Sequence, residues 1–76
     1  MEYPHYCQRG ELLTAREREW LHLVAVGKRD PEISTQTSWS RAEIHRIAQA
    51  VNIKLGAKSR PHAVYLALTR GIYIWL

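Results

Sequence analysis

The chain has 76 residues, of which 46% are apolar and 24% charged, and its formal net charge is +4. A chain this short forms one domain at most, and its ordinary composition argues against disorder. It has no visible nucleophile and base pair and is too short to enclose a pocket of roughly 300 Å³, so no enzyme and no catalytic residue is expected.

The first twelve residues predict a flexible N-terminal arm, residues 1–12, because they lack hydrophobic periodicity and contain Pro4 and Gly10. The arm has neither the basic start nor the apolar run of a signal peptide. Cys7 is the single cysteine, so no internal disulfide can form. No apolar run in the chain approaches the roughly 18 residues of a membrane span. We therefore expect a cytoplasmic protein without membrane contact.

A first helix is predicted after Thr14. Thr14 and Glu17 have the spacing of a capping box, and Gly27 fits the left-handed position that closes a helix. Apolar residues recur between them at helical spacing: Trp20, Leu21, Leu23 and Val24.

A short second helix is predicted next. Asp30 is the expected N-cap and Pro31 the first helical residue. We expect this helix to dissolve after Ile33, because the serine and threonine side chains of residues 34–38 compete for backbone hydrogen bonds.

The third predicted helix is the longest. Ser40 and Glu43 form a second capping box, and Gly56 is placed to end the helix. An apolar stripe runs along it for three turns: Ile44, Ile47, Ala48, Val51 and Leu55.

A fourth helix is predicted from Pro61 to Gly71, after a basic loop. Its apolar residues lie on more than one side. Residues 73–76 then form an apolar C-terminal tail, which either folds back as additional core or contacts a partner.

These four helices, joined by short connections, predict a compact all-α domain that contains a helix-turn-helix, with the turn at residues 37–39. In that motif the third helix lies in the major groove of DNA. Residues 40–60 carry five basic residues against one acidic residue, which accounts for the whole net charge. Such a stretch is typical of a surface that faces phosphate, although a solvated helix face gives the same count.

Two segments resemble the LuxR-type helix-turn-helix domain. LTAREREWLHLVAVGK is similar to its beginning and KLGAKSRPHAVYLALTRGI to its end, in one continuous register. The resemblance covers about residues 13–72. It implies a DNA-binding transcription regulator, standing here without the N-terminal regulatory domain that family members usually carry.

The third helix departs from the family pattern at Glu43, Ile47 and Ala50, where the family carries Thr, His and Asn. The preceding turn departs as well, at Thr37, Ser38 and Trp39. Glu43 can serve the capping box and Ile47 extends the apolar stripe, so each residue has a structural explanation that requires no functional one. A carboxylate near phosphate nevertheless opposes DNA binding.

By the resemblance, the outward side of the third helix reads bases and the loop before the fourth helix contacts phosphate. The base-reading residues are His45, Arg46 and Gln49. The phosphate contacts are Arg41, Lys58, Ser59 and Arg60. The chemistry fits, because Arg can offer two donors to guanine, Gln can pair with adenine, and a basic loop can bind phosphate. The alternative is that all of these are solvated surface residues.

The resemblance also implies a dimer formed through the fourth helix, with a second copy or with a related regulator. The residues expected to contact this partner are Val64, Leu68, Tyr73 and Trp75. An alternative function is a protein-binding module, or antiactivator, that keeps the scaffold but contacts a related regulator instead of DNA. The four histidines have no partner at metal-ligand spacing, so no metal, cofactor or small-molecule ligand is expected.

Overall fold

The computed structural model describes residues 13–70. Within this part of the chain it contains four helices and no strand, which confirms the all-α class and the helix-turn-helix. The helices are α1 (Ala15–Ala25), α2 (Asp30–Thr37), α3 (Arg41–Leu55) and α4 (Arg60–Thr69). The predicted arm, the tail and Gly71 lie outside the described residues.

Helix α1 begins at the predicted capping box. The Thr14 hydroxyl accepts the Glu17 amide proton over 3.1 Å, and Glu17 Oε1 accepts the Thr14 amide proton over 2.9 Å. Gly27 follows the helix with φ +93°, a conformation that L side chains rarely adopt. Both ends of α1 are therefore encoded locally.

Helix α2 corrects two expectations. Arg29, not Asp30, occupies the N-cap position, and its amide donates to Glu32 Oε1 over 2.9 Å. The helix also continues to Thr37, through most of the serine- and threonine-containing run in which it was expected to dissolve. The hydroxyls of Thr35 and Thr37 donate to the carbonyls of residues four positions earlier, so they bond within the helix instead of competing with it.

Helix α3 matches its prediction. Ser40 and Glu43 form the capping box, and Gly56 ends the helix with φ 71°. The whole predicted stripe is buried, and Ala50 is buried beside it.

Helix α4 begins at Arg60, so Pro61 is its second residue rather than its first. Ser59 caps the helix, because its hydroxyl accepts the His62 amide proton over 3.2 Å. Ala63 and Ala67 face the core.

Helices α1, α3 and α4 pack against one another, and α2 packs against α3. The largest buried side chains at the centre are Trp20, Leu21, Ile33, Ile44 and Ile47. Burial of each contributes about 1.5–3 kcal/mol relative to exposure. Within residues 13–70, this packing leaves the other side of α3 without a covering element. None of the described helices has the length and apolarity needed to cross a bilayer.

Candidate nucleic-acid interface

The exposed side of α3 gathers four of the residues predicted to contact DNA. Arg41, His45, Arg46 and Gln49 are all exposed. At about 100° per residue they fall within an arc of about 140°, opposite the buried stripe. We call these four residues the α3 face. It presents hydrogen-bond donors, and Arg41 and Arg46 have no carboxylate partner within the described residues.

The loop before α4 exposes two further predicted contacts, Lys58 and Ser59. The Lys58 amide donates to His62 Nδ1 over 3.1 Å, which fixes the loop backbone while the Lys58 side chain projects from it. The Ser59 hydroxyl already accepts the bond that caps α4. It can still donate its own proton to an acceptor such as phosphate.

Arg60, the remaining predicted phosphate contact, is engaged with a carboxylate. Its Nη1 lies 2.7 Å from Asp30 Oδ1, and its Nη2 donates to Asp30 Oδ2 over 2.8 Å. Its guanidinium carbon lies 5.6 Å from the centroid of the Trp20 ring. The two charged side chains are 38% and 37% exposed, so the pair lies at the surface. Arg60 thus joins α4 to α2 and to α1.

The carboxylate of Asp30 lies in a cationic environment. The hydrogen bond from Arg60 is the largest influence that holds the pKa of Asp30 below its ordinary value, and the charges of Arg41 and His45 act in the same direction. Asp30 in turn raises the pKa of Arg60. Arg41 and His45 belong to the α3 face, so the charge of Asp30 interacts with charges of that face.

Lys54 does not contribute to a phosphate-facing surface. Its Nζ donates to Glu17 Oε1 over 2.8 Å, and the two side chains are 7% and 0% exposed. The basic stretch is therefore less cationic at the surface than the sequence count predicts. The sequence already indicated this burial, because Lys54 lies seven residues after Ile47 and three after Val51, on the buried side of α3.

Glu43 is held on both carboxylate oxygens. Oε1 accepts the Ser40 amide proton over 2.8 Å, and Oε2 accepts from Arg16 over 3.0 Å. The bond from the Ser40 backbone, followed by that from Arg16, holds the pKa of Glu43 below its ordinary value. The capping role is confirmed, and the charge that would oppose phosphate is paired with a cation of α1.

The turn between α2 and α3 accommodates its unusual residues through local bonds. Ser38 adopts φ 67°, the left-handed conformation that favours glycine. The Trp39 amide donates to Thr37 Oγ1 over 3.1 Å, and the Trp39 carbonyl accepts from Ser34 over 2.8 Å. The Trp39 ring lies 5.2 Å from the guanidinium carbon of Arg16. The residues that depart from the family pattern at this turn thus take part in the local structure of the turn.

Ile47 and Ala50, the other departures on α3, are 1% and 0% exposed. Both lie in the core, on the side of α3 that faces away from solvent. Because both side chains are buried, neither belongs to the α3 face.

Helix α4 presents an apolar surface. Leu68 and Tyr65 are 49% and 62% exposed, and Val64 is partly buried. Two predicted partner contacts, Val64 and Leu68, thus lie on this helix one turn apart. Tyr73 and Trp75 lie outside the described residues.

An open groove of about 390 Å³ runs along α2. It is lined by Lys28, Pro31, Glu32, Thr35 and Gln36. No group of three or more histidine, aspartate or glutamate side chains in residues 13–70 is arranged to hold a metal ion. Of the described cations outside ion pairs, Arg41 and Arg46 lie on α3 and Lys58 lies on the loop before α4.

Comparison with known families agrees with the resemblance seen in the sequence. The model for the family described as bacterial regulatory proteins, luxR family, matches residues 11–67, well over half of the chain. The searches of curated proteins and of solved structures give no significant match.

Proposed function

This chain belongs to the luxR family of bacterial regulatory proteins, and we propose that it binds double-stranded DNA by placing the α3 face in the major groove. The observation that carries the proposal is the gathering of Arg41, His45, Arg46 and Gln49 on the side of α3 that no other described helix covers. Regulation of transcription follows from binding at an operator.

The dimensions of α3 fit this role. Its 15 residues span about 22 Å at 1.5 Å per residue, and the major groove of about 12 Å admits a helix. In such docking the N-terminal turns lie nearest the base edges. Arg46 then reaches guanine, Gln49 reaches adenine, and His45 contacts an adjoining base.

Phosphate contacts flank the reading residues. Arg41 begins α3, and Lys58 lies on the loop that precedes α4. Both side chains are exposed and have no carboxylate partner among the described residues. They supply the charge attraction that positions the helix without selecting a sequence.

Dimerisation through α4 completes the proposal. Val64, Tyr65 and Leu68 form an apolar strip on this helix, and two copies that bury it against each other present two α3 faces to two half-sites. The exposure of large apolar side chains at this place supports a protein contact.

The alternative, a protein-binding module without DNA contact, rests on the departures from the family pattern. Burial of Ile47 and Ala50 gives a packing reason for two of them. The ion pair with Arg16 reduces the electrostatic objection that Glu43 raises. These observations favour DNA binding as the first function to test.

The test is a titration of labelled random duplex at low salt and at about 0.2 M salt. We expect binding that weakens steeply with salt, because cationic side chains displace counterions from phosphate. The variant Arg41→Gln should bind more weakly, whereas Arg18→Gln on α1 is a control with the same change in net charge. Absence of binding at both salt concentrations would overturn the proposal and favour the protein-binding alternative.

A further inference from the structure

We propose that Asp30 limits the affinity of this domain for DNA by holding the Arg60 guanidinium, which a neutral side chain at position 30 frees for a backbone phosphate. The inference rests on the proposed function and adds an affinity-limiting residue to it. It concerns the ion pair that joins the first residue of α2 to the first residue of α4.

The geometry of the Asp30–Arg60 ion pair supports competition between Asp30 and phosphate. Arg60 Nη2 donates a hydrogen bond to Asp30 Oδ2 over 2.8 Å, and Nη1 lies 2.7 Å from Oδ1 as an ion pair without a hydrogen bond. A guanidinium also uses these terminal nitrogens to bind a phosphate group. Asp30 therefore occupies the donors that phosphate would use, and the two anions compete for one cation.

The location of the Asp30–Arg60 ion pair also supports a role in phosphate binding. Arg60 follows the exposed residues Lys58 and Ser59, and the charges of Arg41 and His45 act on Asp30. Arg60 is thus two residues along the chain from Lys58, and Asp30 is close enough to Arg41 for their charges to interact. With both side chains more than a third exposed, an approaching phosphate can reach the guanidinium.

The Trp20 ring is the third support. Arg60 lies 5.6 Å from its centroid, which holds the guanidinium over a fully buried aromatic residue. Loss of the carboxylate therefore leaves Arg60 partly ordered, at the surface and near its present place. Such preorganisation reduces the entropy lost when a phosphate binds.

The chain offers a matched control. Glu32 lies two residues after Asp30 in the first turn of α2, and it lines the groove on α2 together with Lys28. Its Oε1 accepts the Arg29 amide proton, a bond that the glutamine oxygen can keep. Asp30→Asn and Glu32→Gln therefore remove the same charge from the same helix, but only the first frees Arg60.

The experiment measures duplex affinity at several salt concentrations for the parent, Asp30→Asn, Glu32→Gln, and Asp30→Asn combined with Arg60→Gln. We expect Asp30→Asn to bind several-fold more tightly than Glu32→Gln, with a log-log salt slope steeper by about 0.9, as for one additional phosphate contact. The combined variant should return to the parental slope. Asp30→Ser is a second neutral variant, and thermal melts establish that each variant is folded.

Two results would overturn the proposal. If Asp30→Asn and Glu32→Gln change affinity and slope equally, only net charge matters and Arg60 does not reach phosphate. If both neutral variants at position 30 bind more weakly than the parent while folded, the ion pair positions the start of α4 for binding.

A parent that binds no duplex would refute the proposed function but would leave this inference testable. Inorganic phosphate is then titrated into the free protein, and the Nε–H signal of Arg60 is followed by NMR. A response at lower phosphate concentration in Asp30→Asn than in the parent supports the release of Arg60. Equal responses in the two proteins overturn it.

Discussion

Lys54 Nζ lies 2.8 Å from Glu17 Oε1, and this ion pair joins α3 to α1 inside the domain with side chains that are 7% and 0% exposed. The other Glu17 oxygen, Oε2, is buried and accepts no hydrogen bond in the structure. A carboxylate so thoroughly removed from water depends on the cation beside it.

The replacement Lys54→Met should therefore destabilise the domain by about 3–5 kcal/mol, because it leaves the Glu17 carboxylate buried without a counterion. Adding Glu17→Gln should recover part of this loss, since the amide oxygen still accepts the Thr14 amide proton while the charge is gone. Urea unfolding of the single and double variants measures both effects. A double variant no more stable than Lys54→Met would contradict this account of the pair.

Ser38→Gly should stabilise the domain by about 1 kcal/mol, because Ser38 adopts φ 67°, where a side chain is unfavourable and glycine is not. Thr35→Gly, in the interior of α2, should destabilise by a similar amount. Thermal unfolding of the two variants checks the opposite signs. Loss of stability in Ser38→Gly would mean that the serine side chain contributes more than its backbone strain removes.

Arg46→Ala and Gln49→Ala should each reduce discrimination between operator and random duplex by about 1–3 kcal/mol, because they remove the proposed base contacts. Lys58→Ala should weaken all sequences alike and lower the salt slope by about 1. Competition binding with selected and random duplexes separates these effects. If Lys58→Ala alters preference and Arg46→Ala does not, α3 is not the reading helix.

Glu43→Gln should increase DNA affinity at low salt, because it removes a negative charge near the start of α3 and releases Arg16 from it. Glu19→Gln on α1 is a control with the same change in charge. An unchanged affinity in Glu43→Gln would mean that the carboxylate does not face phosphate and that its role is structural.

The contribution of Glu43 to the stability of the folded protein should also depend on pH. The folded-state pKa of Glu43 is lowered by Ser40 and Arg16 from an ordinary value of 4.5, so ionised Glu43 stabilises the folded protein above that pH. This contribution is lost as the pH falls through the folded-state pKa. We expect the stability difference between parent and Glu43→Gln to be constant near neutral pH and to shrink below about pH 4.5. A difference that grows on acidification would contradict the sign.

Leu68→Glu should weaken the proposed self-association and the proposed binding of two half-sites, because it places a charge on the apolar strip of α4. Val26→Glu is the matched control, since Val26 and Leu68 are both 49% exposed and Val26 caps α1 instead. Sedimentation at tens of micromolar, with a variant that lacks residues 73–76, measures the association. A monomeric parent, with the truncated variant unfolded, would mean that the tail belongs to the core.

Local signals were sufficient to predict most of the helices. A cap involves residues three positions apart and a glycine end involves one backbone angle, so Thr14, Ser40 and Gly56 identify their helix ends from short segments. The exposed polar side of α3 could be predicted for the same reason, because helical periodicity alone places Arg46 and Gln49 opposite Ile44. The predicted end of α2 was too early, because the threonine hydroxyls form hydrogen bonds within the helix. Amino-acid composition does not show whether such hydroxyls bond within a helix or compete with it.

Only the tertiary structure decided which basic residues remain available for DNA. Lys54 and Glu17 are 37 positions apart in the sequence, and Arg60 and Asp30 are 30 apart, so no local pattern connects them. A count of cations over residues 40–60 treats Lys54, Arg60 and Arg46 as equivalent. Packing of α3 and α4 against the earlier helices brings carboxylates to the first two and leaves the third exposed, because the strength of a charge interaction depends on distance in space and on burial.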